Sequence, residues 1–232
     1  MEGPFDRTEM LLGKDNIEKL RDKHVAVFGI GGVGSYACEA LIRCGIGNLT
    51  MVDYDIIDIT NINRQIHANF NTIGRPKVEI MKERALAINP DISIMIHNEC
   101  FNKDNKESLL KEEYDYVIDS IDMVSSKLEL IEECKVKGIP IISSMGAANK
   151  LNPTLLQVSD IYDTHMCPLA KIMRKELRKR KIESLKVVWS KERPVIKTGL
   201  GSVSFVPPTA GLIIASEVIK SILTKEGFQW NE

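Results

Sequence analysis

The sequence predicts an α/β fold: a Rossmann-like, doubly wound, largely parallel sheet with helices on both faces. Apolar segments of strand length alternate with helical patterns, and a glycine-rich turn follows the first such segment. No repeat or long Gly/Ser linker divides the 232 residues. We therefore expect a single domain over residues 1–232, with a nucleotide-binding core over 1–150 and a loop-rich C-terminal extension over 151–232 that completes the sheet.

The predicted elements follow from periodicity in order along the chain. The apolar runs of strand length are His24–Phe28, Leu49–Asp53, Ile92–Ile96, Tyr116–Asp119, Ile139–Ser143 and Lys186–Ser190. The helical patterns are Val33–Cys44, Lys77–Ile88, Val124–Lys137, a basic stretch at Leu169–Lys181 and a last helix entered through Pro207 and Pro208.

Composition limits the classes of function. Lys and Arg total 31 against 32 Asp and Glu, so any nucleic acid would have to meet a local basic patch. The five cysteines include no Cys-x-x-Cys pair, which indicates neither a zinc ribbon nor a disulfide framework. The late apolar run Ala210–Leu223 contains Glu217 and Lys220, and it is too short and too charged to span a bilayer. We expect a cytoplasmic protein without an integral membrane segment.

The glycine-rich turn is the strongest motif. Gly29, Gly31 and Gly34 form G-x-G-x-x-G, with Gly32 in the same turn, between a strand and a helix. Such a turn lets backbone N–H groups approach phosphates. Asp53 ends the next strand 19 residues after Gly34, where a carboxylate accepts hydrogen bonds from ribose hydroxyls. NAD and ATP both carry that ribose, so this stretch leaves the nucleotide open.

The polar loop after Asp53 favours a triphosphate. It contains Asp55, Asn61, Arg64 and Gln65, and Lys77 opens a helix further on. Cations on phosphate oxygens are what the cleavage of a triphosphate requires, whereas a dehydrogenase has no evident use for them here. The alternative, when Arg64 or Lys77 is considered alone, is a solvated cation on the protein surface.

Two aspartates follow a buried strand with the spacing D-x-x-D. Asp119 and Asp122 come at the carboxyl edge, where ligands of open α/β sheets lie. Asp122 is a candidate Mg²⁺ ligand, because this hard cation prefers oxygen. The alternative is that Asp122 caps the next helix while Asp119 closes the strand.

These motifs, with "TNINRQ" and "RPKVE" in the same order, resemble the adenylating domain of ubiquitin-activating enzymes and their bacterial relatives. The resemblance implies attack of a carboxylate on the α-phosphate of ATP. It implies that Gly31 contacts the nucleotide, Asp53 binds ribose and Asp122 holds Mg²⁺. The same resemblance implies that Asn61, Arg64 and Lys77 contact the phosphates. In "FDRTEMLLG", Arg7 would reach the ATP site of a second subunit, which implies a homodimer.

The C-terminal half is similar to the tRNA threonylcarbamoyladenosine dehydratases, above all in "GAANKLNPT" and "CPLAKIMRKELRKR". Asn152 stands where that family usually has Asp. The resemblance implies that ATP activates the threonyl carboxylate of the modified adenosine beside the anticodon. An internal nitrogen or oxygen then displaces AMP and closes a ring, with net loss of water. No enzyme nucleophile is needed, because the attacking atom is tethered.

A tRNA substrate needs a basic surface, and one helical stretch supplies seven cations within eleven residues. We expect its apolar side to be Leu169, Met173 and Leu177; a solvated charged face is the alternative. The cations are Lys171, Arg174, Lys175, Arg178, Lys179, Arg180 and Lys181.

Three other functions remain open at this point. The first is activation of the C-terminus of a small ubiquitin-like sulfur carrier. Whichever function holds, a sulfur-mobilising protein is a candidate partner. The others are a non-catalytic nucleotide- or RNA-binding module and, more distantly, an NAD dehydrogenase. Cys167 is either a reactive thiol or a packed side chain, and we expect Cys38 and Cys44 in the core. His67 and His165 receive no role.

Overall fold

Seven strands form one sheet in the computed structural model, which describes residues 3–110, 113–196 and 198–230. The strands are β1 (His24–Phe28), β2 (Asn48–Val52), β3 (Ser93–His97), β4 (Tyr116–Asp119), β5 (Ile141–Ser144), β6 (Leu156–Asp160) and β7 (Lys186–Ser190). The described α-helices are α1 (Asp6–Leu12), α2 (Lys14–Asp22), α3 (Gly34–Arg43), α4 (Lys77–Ile88), α5 (Lys106–Leu109), α6 (Val124–Lys137), α7 (Pro168–Lys179) and α8 (Val206–Lys225).

The sheet is largely parallel, which confirms the predicted fold class. Its strand order is β3-β2-β1-β4-β5-β7-β6, and only β6 runs antiparallel, beside β7 at one edge. The chain leaves β1 toward β2 and β3 on one side and returns to β4 on the other. This reversal between β1 and β4 opens a crevice at their carboxyl ends, which is where open α/β sheets bind ligands.

Two apolar layers cover the sheet. On one face, α2, α3, α4 and α8 pack over side chains such as Val27 and Leu49. On the other face, α6 and α7 pack over residues such as Phe28 and Val187. The helices on both faces are as predicted, and β1, β4, β7, α4 and α6 have the predicted bounds.

The structure adds elements that periodicity did not predict. The segment before β1 forms α1 and α2, separated at Gly13, and α5 is a single turn. All five residues of β6 are only half-buried, so this edge strand lacks the apolar signal of the central strands. Strand β6 pairs with β7 through Val158 and Val188, and this pairing carries the C-terminal segment into the same sheet.

The last helix is longer than the apolar run Ala210–Leu223, because it begins at Val206 and ends at Lys225. In the described part of the chain, α8 alone is long and apolar enough to cross a membrane by length and composition, and 61% of that stretch is buried. Its buried side chains, Ile214 and Val218 among them, pack in the same cluster as those of α3. In this structure α8 is a core helix.

Candidate active site

A cleft of about 520 Å³ opens at the carboxyl ends of β1, β2, β4 and β5. Most residues that the sequence nominated for nucleotide or metal binding line it. They are Gly29, Gly31, Gly32, Asp53, Asp55, Asn61, Arg64, Gln65, Lys77 and Asp122. Two nominated residues do not line this chain's cleft: Gly34, which lies behind the turn, and Arg7, which is exposed on α1.

The glycine turn is fixed by close backbone contacts. Gly29 has a φ of +87°, and a Cβ there would lie 2.7 Å from the backbone oxygen of Ser120. A Cβ at Gly34 would lie 1.9 Å from the Gly29 oxygen, so this glycine lets α3 start directly beside the turn. Gly31 has open space instead, with the nearest described atom, Nε2 of Gln65, at 3.9 Å. The backbone of the turn is therefore accessible to a ligand at Gly31, whereas Gly34 allows the close contact between the turn and the start of α3.

Asp53 is anchored in the position expected of a ribose acceptor. Its carboxylate accepts hydrogen bonds from the backbone N–H of Ile30 at 2.5 Å and of Asp55 at 2.8 Å. Burial raises the pKa of Asp53, and the nearby Lys77 ammonium and these two N–H groups act in the opposite direction. The carboxylate thus faces the cleft with its orientation set by the backbone.

Lys77 is a buried cation in the wall of the cleft. It is 5% exposed, and its Nζ lies 2.5 Å from Oδ2 of Asp55 and 4.0 Å from Oδ1 of Asp53. Pro76, with its fixed φ of −56°, precedes the first turn of α4 and directs Lys77 back toward the cleft. A bound phosphate would therefore compete with Asp55 for this ammonium.

The segment with Asn61, Arg64 and Gln65 begins with a short 3₁₀ turn. Oδ1 of Asn61 accepts from the N–H of Asp58 at 3.1 Å, so the amide nitrogen is the end left for a ligand. The Arg64 guanidinium donates to the Thr60 carbonyl and to Oδ1 of Asn63, both at 2.8 Å, which holds it beside the cleft. Oε1 of Gln65 is buried and has no hydrogen-bond partner among the described residues.

The two aspartates after β4 have different environments. Asp119 is fully buried, and its carboxylate pairs with Lys127 at 2.8 Å and accepts from the Ser143 hydroxyl. Asp122 is exposed in the cleft and forms no hydrogen bond within the described ranges. The N-cap residue of α6 is Met123, and no side chain among the described residues caps this helix. The alternative that Asp122 is a helix cap was therefore wrong.

Asp122 stands apart from other candidate metal ligands in the part of the chain that the structure describes. No group of three or more His, Cys, Asp or Glu side chains that could hold a metal occurs in the described ranges. A cation at Asp122 would need most of its oxygen ligands from a bound phosphate chain and water, which is the usual way in which Mg²⁺ binds beside nucleotides. The donor set fits such a shared site.

Other cleft residues received no role from the sequence, although Gly146, Ala147 and Ala148 stand in the segment "GAANKLNPT". Three follow β3 (Glu99, Cys100 and Phe101), three follow β5 (Gly146, Ala147 and Ala148), and three come from a late loop (Leu200, Gly201 and Ser202). Leu169, in the first turn of α7, also lines the cleft, whereas Ala170, Met173 and Leu177 form the buried side of that helix. Leu169 is half-buried and packs against the same apolar cluster, as expected, and it also reaches the cleft.

The cations of α7 fall into two groups. Lys171 and Lys175 are exposed and form no ion pair within the described ranges. The others have neighbours: Arg174 donates to the Thr164 hydroxyl, Arg178 lies 5.0 Å over the Tyr162 ring, and Lys179 pairs with Glu176 at 2.7 Å, as does Arg180 at 3.2 Å. Lys181, after the end of the helix, is likewise exposed and forms no ion pair within the described ranges, so the unpaired charge lies at Lys171, Lys175 and Lys181.

The remaining nominated side chains are packed. Cys167 is 2% exposed and lies against Gly146, whereas burial raises the pKa of both Cys38 and Cys44. Burial lowers the pKa of His67 to about 4, with the charge of Lys77 acting in the same direction. Neither ring nitrogen of His67 has a partner among the described residues.

A glycine turn at the switch point of a parallel sheet, with an anchored carboxylate after the second strand, defines an α/β nucleotide-binding protein. The cations and Asp122 around the turn fit a triphosphate better than a nicotinamide. The chain belongs to the ThiF family, whose model matches residues 5–231.

The dehydratase relatives match nearly the whole chain. The tRNA threonylcarbamoyladenosine dehydratase of Bacillus subtilis is 41% identical, over 94% of this chain and 94% of its own length. A crystal structure of the E. coli tRNA N6-threonylcarbamoyladenosine dehydratase TcdA in complex with ATP superposes with a TM-score of 0.92 at 36% identity, and covers 97% of this chain and 96% of that chain. The E. coli molybdopterin-synthase adenylyltransferase is 35% identical over 59% of this chain and 54% of its own length.

Proposed function

We propose that the chain is an ATP-dependent tRNA threonylcarbamoyladenosine dehydratase that closes a ring on the threonyl side chain beside the anticodon. The observation that carries this proposal is the extent of the likeness to dehydratases, which includes the C-terminal segment where adenylating relatives differ. The cleft supplies what the first step needs: a phosphate-binding turn, two cations and a free carboxylate.

ATP binds with its phosphates along the glycine turn. The N–H groups at Gly31 and Gly32 face the phosphate chain, and Asp53 accepts hydrogen bonds from the ribose. Arg64 and Lys77 stabilise charge on the phosphate oxygens as pyrophosphate leaves, which is where positioned cations lower the barrier most. Supporting this arrangement, all of these residues line one cleft.

Asp122 and the phosphate oxygens would together hold Mg²⁺, which supplies charge neutralisation for the triphosphate when bound. Its exposure and lack of hydrogen bonds within the described ranges leave both carboxylate oxygens available. We expect Asp122→Asn to raise the Mg²⁺ concentration for half-maximal rate about tenfold, because one anionic ligand is lost. An unchanged Mg²⁺ response would exclude Asp122 as a ligand.

The chemistry needs no nucleophile from the protein. An oxygen of the threonyl carboxylate attacks the α-phosphorus, and pyrophosphate leaves. A nitrogen or oxygen of the same side chain attacks the activated carbonyl, loses its proton and releases AMP, so that the nucleoside loses one water overall. The burial of Cys167, at 2% exposure, fits a packed thiol that plays no part in this route.

The tRNA lies along α7. Leu169 lines the cleft, and Lys171 and Lys175 lie about 3 and 9 Å further along the helix axis. They are four residues apart and so share one face, where they can contact successive phosphates while the modified nucleoside enters the cleft. Arg174, Arg178, Lys179 and Arg180 extend the same positive surface.

The active unit is a homodimer in which Arg7 reaches the ATP site of the second subunit. Arg7 is exposed on α1 and does not line its own cleft. Met10 and Leu11, on the same helix, are 75% and 83% exposed, so this end of the chain carries apolar surface that a second subunit would cover. We place the enzyme in the cytoplasm, where the cysteines stay reduced.

Nucleoside mass spectrometry tests the proposal. In tRNA from cells that lack the gene, the dehydrated cyclic nucleoside should disappear and the open threonylcarbamoyl form should accumulate. Restoring the wild-type gene should reverse both changes, whereas a gene with Arg64→Ala should not. Persistence of the cyclic form in the deletion strain would contradict the proposal. ATP–pyrophosphate exchange that depends on a small carrier protein and ignores tRNA would favour the sulfur-carrier function instead.

A further inference from the structure

Segment 199–202 closes one side of the cleft from the far end of the sequence. Leu200, Gly201 and Ser202 line the cleft, and Leu200 is 89% exposed. The segment contains no helix or strand, so its position depends on hydrogen bonds from elsewhere.

Asn149, in the connection after β5, supplies most of those bonds. Its backbone N–H donates to the Gly201 carbonyl at 2.8 Å, and its Oδ1 accepts from the Gly201 N–H at 2.6 Å. Its Nδ2 donates to the Gly199 carbonyl at 3.0 Å, and its carbonyl accepts from the N–H of Val195 at 2.9 Å. Asn149 has a φ of +59°, in the left-handed region that Asn adopts more readily than most residues.

A second asparagine joins the same segment to the phosphate side of the cleft. Nδ2 of Asn63 donates to the Ser202 carbonyl at 3.0 Å, and its Oδ1 accepts from the Arg64 guanidinium at 2.8 Å. One amide therefore links a proposed phosphate ligand to the segment that Asn149 holds. The Ser202 hydroxyl is buried without a hydrogen-bond partner among the described residues.

We propose that Asn149 is a positioning residue that holds segment 199–202 as a wall between water and the acyl-adenylate. This inference rests on the proposed function. The activated carbonyl can react with two nucleophiles: the tethered atom, which gives cyclic nucleoside and AMP, or water, which gives back the carboxylate and AMP. The second route consumes ATP without product. A wall beside the reacting end favours the first route by excluding water.

The coupling ratio, AMP released per cyclic nucleoside formed, tests this role with the purified full chain, ATP and tRNA that carries the open nucleoside. We expect a ratio of about one for the wild type and a several-fold higher ratio for Asn149→Gly, with the KM for ATP within about twofold. Glycine tolerates the backbone conformation, so this variant removes the side-chain bonds alone. Asn149→Asp keeps the acceptor for Gly201 and should give an intermediate ratio.

Asn152→Gly is the matched control. It lies three residues further along the same connection, and its side chain accepts from Thr154 outside the cleft. Its ratio should equal that of the wild type. A ratio unchanged in both Asn149 variants overturns the inference, even where their turnover falls, because a merely structural role lowers AMP and product together. A wild-type protein that forms no cyclic nucleoside overturns the proposed function, and this inference with it.

Discussion

Lysines are buried and paired at the carboxyl edge of the sheet, whereas two lysines of α7 are exposed. Lys77 and Lys127 are 5% and 0% exposed, and each lies within 2.8 Å of a carboxylate oxygen. Lys171 and Lys175 are exposed and have no ion-pair partner within the described ranges. Burial requires a charge to be paired before any ligand arrives, whereas an exposed charge stays available to a polyanion. The buried cations at the edge of the sheet are therefore held in place before a ligand binds, whereas the exposed lysines of α7 contribute only electrostatic attraction.

The largest effect should come from Lys127→Met. The change leaves the Asp119 carboxylate buried without its cation, and breaking such a pair costs about 3–5 kcal/mol. Urea unfolding should show this loss in the free energy of unfolding. Lys179→Met is the counterpart on α7, where the partner Glu176 is solvent-accessible, and it should cost less than about 1 kcal/mol. Equal losses for the two variants would contradict the comparison.

The second largest effect should come from Arg64→Ala, which should impair catalysis. Arg64 is half-buried, and among the described residues its guanidinium donates to one carbonyl and one side-chain amide, so the fold should persist. We expect kcat/KM to fall by about 10²–10³, as when one positioned donor to a developing negative charge is removed. Steady-state AMP production measures it.

Arg75→Ala is the matched control for Arg64→Ala, because Arg75 lies in the same connection but pairs with Glu83 outside the cleft. Its kcat/KM should stay within about twofold of the wild type. A similar loss in both variants would mean that Arg64 acts through the fold and not on the triphosphate.

The pH dependence of stability should report His67. Its pKa is about 4 in the folded chain and about 6.5 when unfolded, because burial favours the neutral ring. The unfolded state thus binds a proton first, and stability falls as the pH drops from about 6.5 toward 4, by up to about 3 kcal/mol. Urea unfolding at pH 7 and pH 5 measures the slope. His67→Gln should flatten this part of the profile; an identical slope in the variant would assign the effect to other groups.

The smallest effect should come from the exposed pair. The double variant Lys171→Ala/Lys175→Ala should weaken tRNA binding about tenfold and reduce its salt dependence, while ATP binding stays unchanged. Lys220→Ala/Lys225→Ala removes the same charge from α8, on the opposite face of the sheet, and should leave tRNA affinity unchanged. Equal losses in the two double variants would indicate a general charge effect and no binding face on α7.

Local patterns were enough to predict where the residues around the glycine turn lie in the fold. The glycines, Asp53 and Lys77 occupy strand ends and a helix start, and those positions follow from periodicity and spacing. The roles of Asp119 and Asp122 could not be separated in this way. Their difference depends on Lys127 and Ser143, which the fold brings to Asp119 from a helix and a neighbouring strand.

The other side of the cleft depends on contacts between distant segments. Asn149 meets Gly201 across 52 residues, and Asn63 meets Ser202 across 139 residues. Neither asparagine belongs to a periodic pattern, so the neighbouring sequence does not predict these two hydrogen-bonded pairs. Likewise, β6 was missed because a half-buried edge strand needs β7 to define it.

Adenylation of a carboxylate carried by tRNA is the step on which the proposed function depends. The most direct measurement uses tRNA whose threonylcarbamoyl carboxylate is labelled with ¹⁸O, the purified protein, ATP and Mg²⁺. Attack of that carboxylate on the α-phosphorus, followed by ring closure, should leave one labelled oxygen in AMP. Unlabelled AMP, or ADP with labelled phosphate, formed together with the cyclic nucleoside would contradict the claim.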